Sequence, residues 1–155
     1  MILHAQQVCL IRRERPDGEQ YSLPGGILHP DETVPAALAR ELKEELDLDV
    51  AALPEQPDLR WVQDQLTTRP GRPELFRRLH LVHLLHLPGH SRATVAAAEQ
   101  HAEDRAPVVW VSLTRAARLH LYPAVADVLT ALTRRPALPG PVLLPPMTDR
   151  TYNWR

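Results

Sequence analysis

The sequence predicts an α/β fold, a mixed β-sheet flanked by helices. Three observations carry that prediction. Apolar runs bounded by turn residues recur along the chain, at 6–13, 61–67, 75–87 and 107–113. Between the first two the apolar spacing changes to four, at Val34, Leu38, Leu42 and Leu46, the period of a helix. Strands and helices then mix without regular strand–helix alternation, which argues against a purely parallel sheet.

Taken in order, residues 6–13 read as a strand rich in apolar and β-branched side chains. Pro16-Asp17-Gly18 is a turn, since proline presets φ and glycine accepts a positive one. Tyr21 to Leu23 resumes a strand, and Pro24-Gly25-Gly26 breaks it. Asp31 or Thr33 caps the helix that follows, with Pro35 tolerated in its first turn. Residues 48–53 read as a short strand. A turn at Arg69-Pro70-Gly71 separates the next two strands, the second of them central in the sheet. Residues 107–113 form another strand, and 113–135 a helix interrupted before Pro123. Beyond Pro136 the prolines of PALPGPVLLPPMTDRTYNWR argue for an extended or loose tail.

The 155 residues fit one domain with a real core, and a net charge of −1 gives no overall field to attract DNA or an anionic membrane. Cys9 is the only cysteine, which excludes an internal disulfide and a thiolate zinc cluster. The first residues, MILHAQQVCLIRRER, lack the pattern of a secretion signal, and no apolar run is long enough to span a bilayer. A soluble, cytoplasmic protein is the expectation. His80, His83 and His86 do not suggest zinc, because a strand points His83 away from the other two.

The helical stretch ARELKEELD carries the chemistry. Glu41, Glu44 and Glu45 lie within five positions, so Glu41 faces two like charges on a helix. On a wheel of 100° per residue Glu45 falls about 20° from Leu38, inside the apolar arc, and Glu41 about 60° from it, at the edge. A surface reading pairs Arg40 with Glu44 and Lys43 with Asp47, but it leaves Glu41 and Glu45 crowded. A hard divalent cation would turn that repulsion into affinity, and its open positions would take phosphate oxygens. Just upstream, Pro24-Gly25-Gly26 lets backbone approach a metal or phosphate closely.

The spacing resembles the Nudix box. Gly26 is followed after five residues by Glu32, after seven more by Arg40-Glu41-Leu42, then by Glu44-Glu45 and Asp47-Leu48. Every defining position matches except Asp47, where the family has glycine; aspartate tolerates the left-handed conformation better than most residues. The resemblance extends more weakly over residues 5–132. It implies an α/β/α sandwich with a mixed sheet as one domain over 1–135, and leaves the Pro-rich tail, 136–155, outside.

The resemblance implies a Mg2+-dependent enzyme, with Mn2+ as the alternative ion, that cleaves a pyrophosphate bond in a nucleoside di- or triphosphate derivative with metal-activated water. Glu41, Glu44 and Glu45 are the implied metal ligands, joined by the Gly25 carbonyl. Glu32 supports the loop or reaches the metal through water, and Arg40 orients a glutamate by salt bridge. The general base is either Glu41 or a carboxylate of a later loop, for which Glu99, Glu103 and Asp104 are candidates. Gly26 and Arg12 are taken to contact substrate; strand alternation directs only one of Arg12 and Arg13 inward. Trp61, Phe76 and Tyr21 suit core packing better than stacking on a base.

Marks of known subfamilies are missing: Gln63 stands where ADP-ribose hydrolases often carry proline, and Gln65 and Leu66 where diadenosine polyphosphate hydrolases often carry tyrosine. The partner expected is a small nucleotide rather than DNA or a membrane. A nucleotide-binding sensor without turnover is the alternative. The family encourages a homodimer, and the VLLPP stretch either crosses to a second subunit or stays loose.

Overall fold

A computed structural model describes residues 1–99, 105–134 and 142–154 of the chain. Strands β1 (Ile2–His4), β2 (Gln7–Arg15) and β3 (Gly18–Ser22) open the fold. The Pro16-Asp17-Gly18 turn returns β3 antiparallel along β2, with Arg15 opposite Gly18. Strands β4 (Asp58–Arg69) and β5 (Arg72–His86) form a long hairpin around Gly71, whose φ of +74° is readily adopted only by glycine. Strand β5 then pairs in parallel with β1, so the hairpin adds to the first three strands.

Four short strands complete the sheet. β6 (Val108–Ser112) lies antiparallel to β2, and β7 (Leu121–Tyr122) parallel to β3. β8 (Val142–Leu143) and β9 (Met147–Thr148) lie parallel to β4. The main path runs β7-β3-β2-β1-β5-β4-β8, a mixed sheet of nine strands among the described residues.

Alternation along the central strands feeds two cores. Leu3, Val8 and Leu10 join Trp61, Leu84 and Leu129 on one face; Ile2, Cys9 and Leu85 join Leu42, Leu46 and Leu48 on the other. Helix α1 (Val34–Leu46) covers the second face, while α2 (Leu113–Ala116) and α3 (Ala126–Arg134) cover the first. The layers are α/β/α, as expected. Trp61 and Tyr21 are buried in the first core.

Thr33 rather than Asp31 caps α1, accepting a hydrogen bond from the Ala36 amide at 3.4 Å. Asp47 ends the helix in the left-handed region, φ +54° and ψ +28°, and its amide bonds back into the last turn.

Two expectations change. Residues 48–53 hold a 3-10 turn at Val50–Ala52 instead of a strand, because the Asp49 carboxylate accepts the Ala51 amide at 3.0 Å and starts the turn. The single interrupted helix over 113–135 becomes two helices with β7 between them, since the backbone at 121–122 pairs with β3 just before Pro123. After residue 141 the chain is extended, as expected, but paired with β4, with Met147 and Tyr152 buried.

Candidate active site

The loop after β3 and one face of α1, from Val34 to Glu45, line a cleft of about 910 Å³, to which β5 also contributes. Gly25, at φ +134°, turns the loop so that its amide donates to the Glu45 carboxylate at 2.7 Å. Gly26 passes so close to α1 that a Cβ there would lie 2.2 Å from Glu41 Oε1. The Pro-Gly-Gly break thus seats Glu41 and Glu45 against backbone.

Arg40 is the hub of the acidic cluster. Its guanidinium donates to both Glu32 oxygens, at 2.7 and 3.1 Å, to Glu41 at 2.8 Å, to Glu44 at 3.1 Å and to the Ile27 carbonyl at 3.2 Å. This ties the loop to the helix. The Arg40 bonds and the His29 amide hold the Glu32 carboxyl down to about 2, so it stays ionised. Lys43 also pairs with Asp47, so both surface pairs considered from the sequence form, while Glu41 and Glu45 still face the cleft.

Glu45 is the perturbed member. Burial pushes its carboxyl up to about 8; the Gly25 amide opposes this, while the charges of Glu99 and Glu41 add to it. Glu99 is 2 % exposed, pairs with Arg13 through one oxygen, and leaves Oε2 buried without a hydrogen-bond partner among the described residues. Arg13 also donates to Ser22 Oγ at 2.8 Å. Loop, helix, β2 and the segment before β6 therefore converge on one acidic end of the cleft.

The expected site residues divide accordingly. Gly25, Gly26, Glu41 and Glu45 line the cleft, whereas Glu44, its side chain 43 % exposed, turns to Arg40. Glu32 and Arg40 brace the loop from behind. Arg12 does not line the cleft: it faces Glu19 at 3.6 Å, and the alternation of β2 directs Arg13 inward instead. Glu103 and Asp104 lie outside the described residues. Trp154, which the sequence reading passed over, also lines the cleft, packed against Tyr122, which in turn meets Arg78.

Among the described residues no three metal-binding side chains are gathered into a ready ligand set. The chemistry nevertheless fits a hard dication. A buried carboxylate oxygen without a partner beside a second, half-buried carboxylate is costly unless a cation completes it.

Solved structures share the fold. A mutator MutT protein of Bacillus halodurans superposes with a TM-score of 0.63 at 14% identity, over 88% of this chain and 80% of that one. A MutT NUDIX hydrolase of Burkholderia pseudomallei gives 0.50 at 26% identity, over 73% and 78% of the two chains. The ORF135 protein of E. coli gives 0.51 at 27% identity, over 88% and 89%. No curated protein matches the chain by sequence. The sequence profile of the NUDIX domain matches residues 1–132, so the chain belongs to the NUDIX domain family.

Proposed function

We propose that the protein is a Mg2+- or Mn2+-dependent hydrolase that cleaves a pyrophosphate bond in a nucleoside di- or triphosphate derivative. The observation that carries this reading is the acidic end of the cleft, where Glu99 is buried with one oxygen unpartnered among the described residues and the half-buried Glu45 carboxylate is crowded by its charge. Family membership and the likeness to a solved NUDIX hydrolase support it.

Glu41, Glu44 and Glu45, with the Gly25 carbonyl, would hold the ion. When bound, it would acidify water and neutralise charge on the phosphoryl group. The rest is the work of this chain's own side chains. Arg40 keeps Glu41 and Glu44 oriented and holds Glu32 against the loop. Gly26 lets Glu41 approach the loop backbone, which a larger residue would prevent. Glu99 Oε2 is free to accept a hydrogen bond from water, and Arg13 fixes the other Glu99 oxygen. Arg13, on the inward side of β2, takes the phosphate-facing place first expected of Arg12.

A panel of nucleoside triphosphates and diphosphate derivatives, incubated with Mg2+ and scored for phosphate and nucleoside monophosphate, tests the reading. The wild type should turn over at least one member, and Glu45→Gln should be slower by about 100-fold or more. Binding without products would favour a sensor module. Unchanged turnover in Glu45→Gln would overturn the role of that carboxylate.

A further inference from the structure

The same cleft also carries cations. Arg15, Arg69 and Arg78 line it, and none has a carboxylate partner among the described residues. Arg69 and Arg78 both stack on Phe76, with guanidinium carbons 3.5 and 4.7 Å from the ring centroid. One aromatic ring thus brings two cations close together, an arrangement that costs energy unless an anion offsets it.

Two donors beside these cations lack acceptors among the described residues. Arg69 Nε and Trp154 Nε1 are both buried and without a hydrogen-bond partner. They belong to neighbouring groups, since the Arg69 guanidinium also lies 5.6 Å from the Trp154 ring. A buried donor with no acceptor is left uncompensated for the water it gave up. The tail that follows β9 delivers Trp154, where it packs against Tyr122 at 5.2 Å between ring centroids. Tyr122 in turn meets Arg78, whose guanidinium donates to its hydroxyl at 3.3 Å.

We propose that Arg69, Arg78 and the Trp154 indole form a second anion subsite, which takes a phosphate or carboxylate carried by the substrate away from the cleaved bond. The proposal rests on the hydrolase reading for its place in catalysis, but not for the binding of the anion itself. Unpaired cations call for negative charge, and two orphaned donors call for acceptor oxygens. A neutral leaving group would satisfy neither. The preferred substrates would be pyrophosphate derivatives whose second moiety is itself anionic, such as one bearing an additional phosphoryl or carboxylate group.

The test uses the full chain stripped of metal on a chelating resin and kept in chelator-free buffer, where turnover plays no part. Inorganic phosphate and, separately, succinate are titrated while tryptophan emission and calorimetric heat are followed. Saturable binding of phosphate assigns a phosphoryl group, and binding of succinate alone assigns a carboxylate. Arg69→Gln and Arg78→Gln should each weaken binding tenfold or more, while Trp154→Phe should abolish most of the emission change. Glu45→Gln should bind the anion as the wild type does. Failure of both anions to saturate the wild type would overturn the proposal, as would unchanged affinity in both arginine variants. Loss of hydrolysis in Glu45→Gln with anion binding intact supports both readings, and anion binding without any hydrolysis defeats only the first.

Discussion

Gly26 and Glu41 are in such close approach that the site tolerates no side chain at position 26: a Cβ there would fall 2.2 Å from Glu41 Oε1. The obstacle is the tip of a flexible side chain, so Gly26→Ala would move the carboxylate rather than unfold the loop. The expected outcome is a melting temperature close to that of the wild type with kcat lower by about 100-fold, the cost of misplacing a reacting group by about 1 Å. Thermal melts and initial rates on the same samples check it. A variant that retains full activity would show that Glu41 need not sit where it does.

Arg40 makes a different prediction because one planar guanidinium serves three carboxylates at once. A lysine keeps the charge but cannot reach both Glu32 oxygens together with Glu41 and Glu44. Arg40→Lys should therefore weaken divalent-metal binding by about 10- to 100-fold, the usual effect of losing an orienting partner. Titration calorimetry with Mn2+ measures this directly. Equal affinity in the two proteins would mean that the hub only supports the loop.

How far the site could be read in the sequence depends on the range of each interaction. Much that is local to α1 was legible, though not the choice of Thr33 over Asp31 as its cap: a wheel placed Glu45 in the apolar arc, and the structure buries it enough to raise its carboxyl. The left-handed Asp47 and the turn at Gly71 followed from residue type. Long-range pairing was not legible. Alternation said that one of Arg12 and Arg13 faces inward, but the choice depends on which face of β2 meets the cleft. Glu99 stood among several loop carboxylates until its partner Arg13, 86 positions away, singled it out. The tail gave least warning, since TYNWR carries no motif, and Trp154 reaches Tyr122 after β9 has paired with β4.

Two titrating groups give the metal-free protein opposite dependences on pH. Glu45 is raised from an ordinary 4.5 to about 8, by burial above all, so the folded state keeps a proton that the unfolded chain releases between those values. Its contribution is full below pH 4.5 and is lost as pH rises to 8. His80 is lowered from 6.5 to about 4, by burial first and Arg78 second, so its contribution is lost as pH falls through that range. Glu45→Gln should flatten the alkaline fall in melting temperature and His80→Gln the acidic one. Metal should displace the Glu45 proton, so Mn2+ affinity should rise up to about pH 8 in the wild type and rise less in Glu45→Gln. Parallel profiles in all three proteins would contradict both assignments.

Gln65 is fully buried in β4, and its amide organises His80 and Tyr122, two side chains that line the cleft. Its Oε1 lies 2.8 Å from His80 Nε2 and accepts from the Tyr122 hydroxyl at 3.0 Å, while its Nε2 donates to Thr67 at 2.9 Å. Leucine at this position would fill a similar volume and leave two half-buried groups, the His80 ring and the Tyr122 hydroxyl, without their acceptor. Gln65→Leu should therefore destabilise the fold by about 1–3 kcal/mol in urea unfolding. Because Tyr122 lines the cleft and contacts both Arg78 and Trp154, the same variant should raise KM more than it lowers kcat. A loss of stability with unchanged KM would separate the buried network from substrate binding, and an unchanged urea midpoint would show that water satisfies Tyr122 and His80 as well as the amide does.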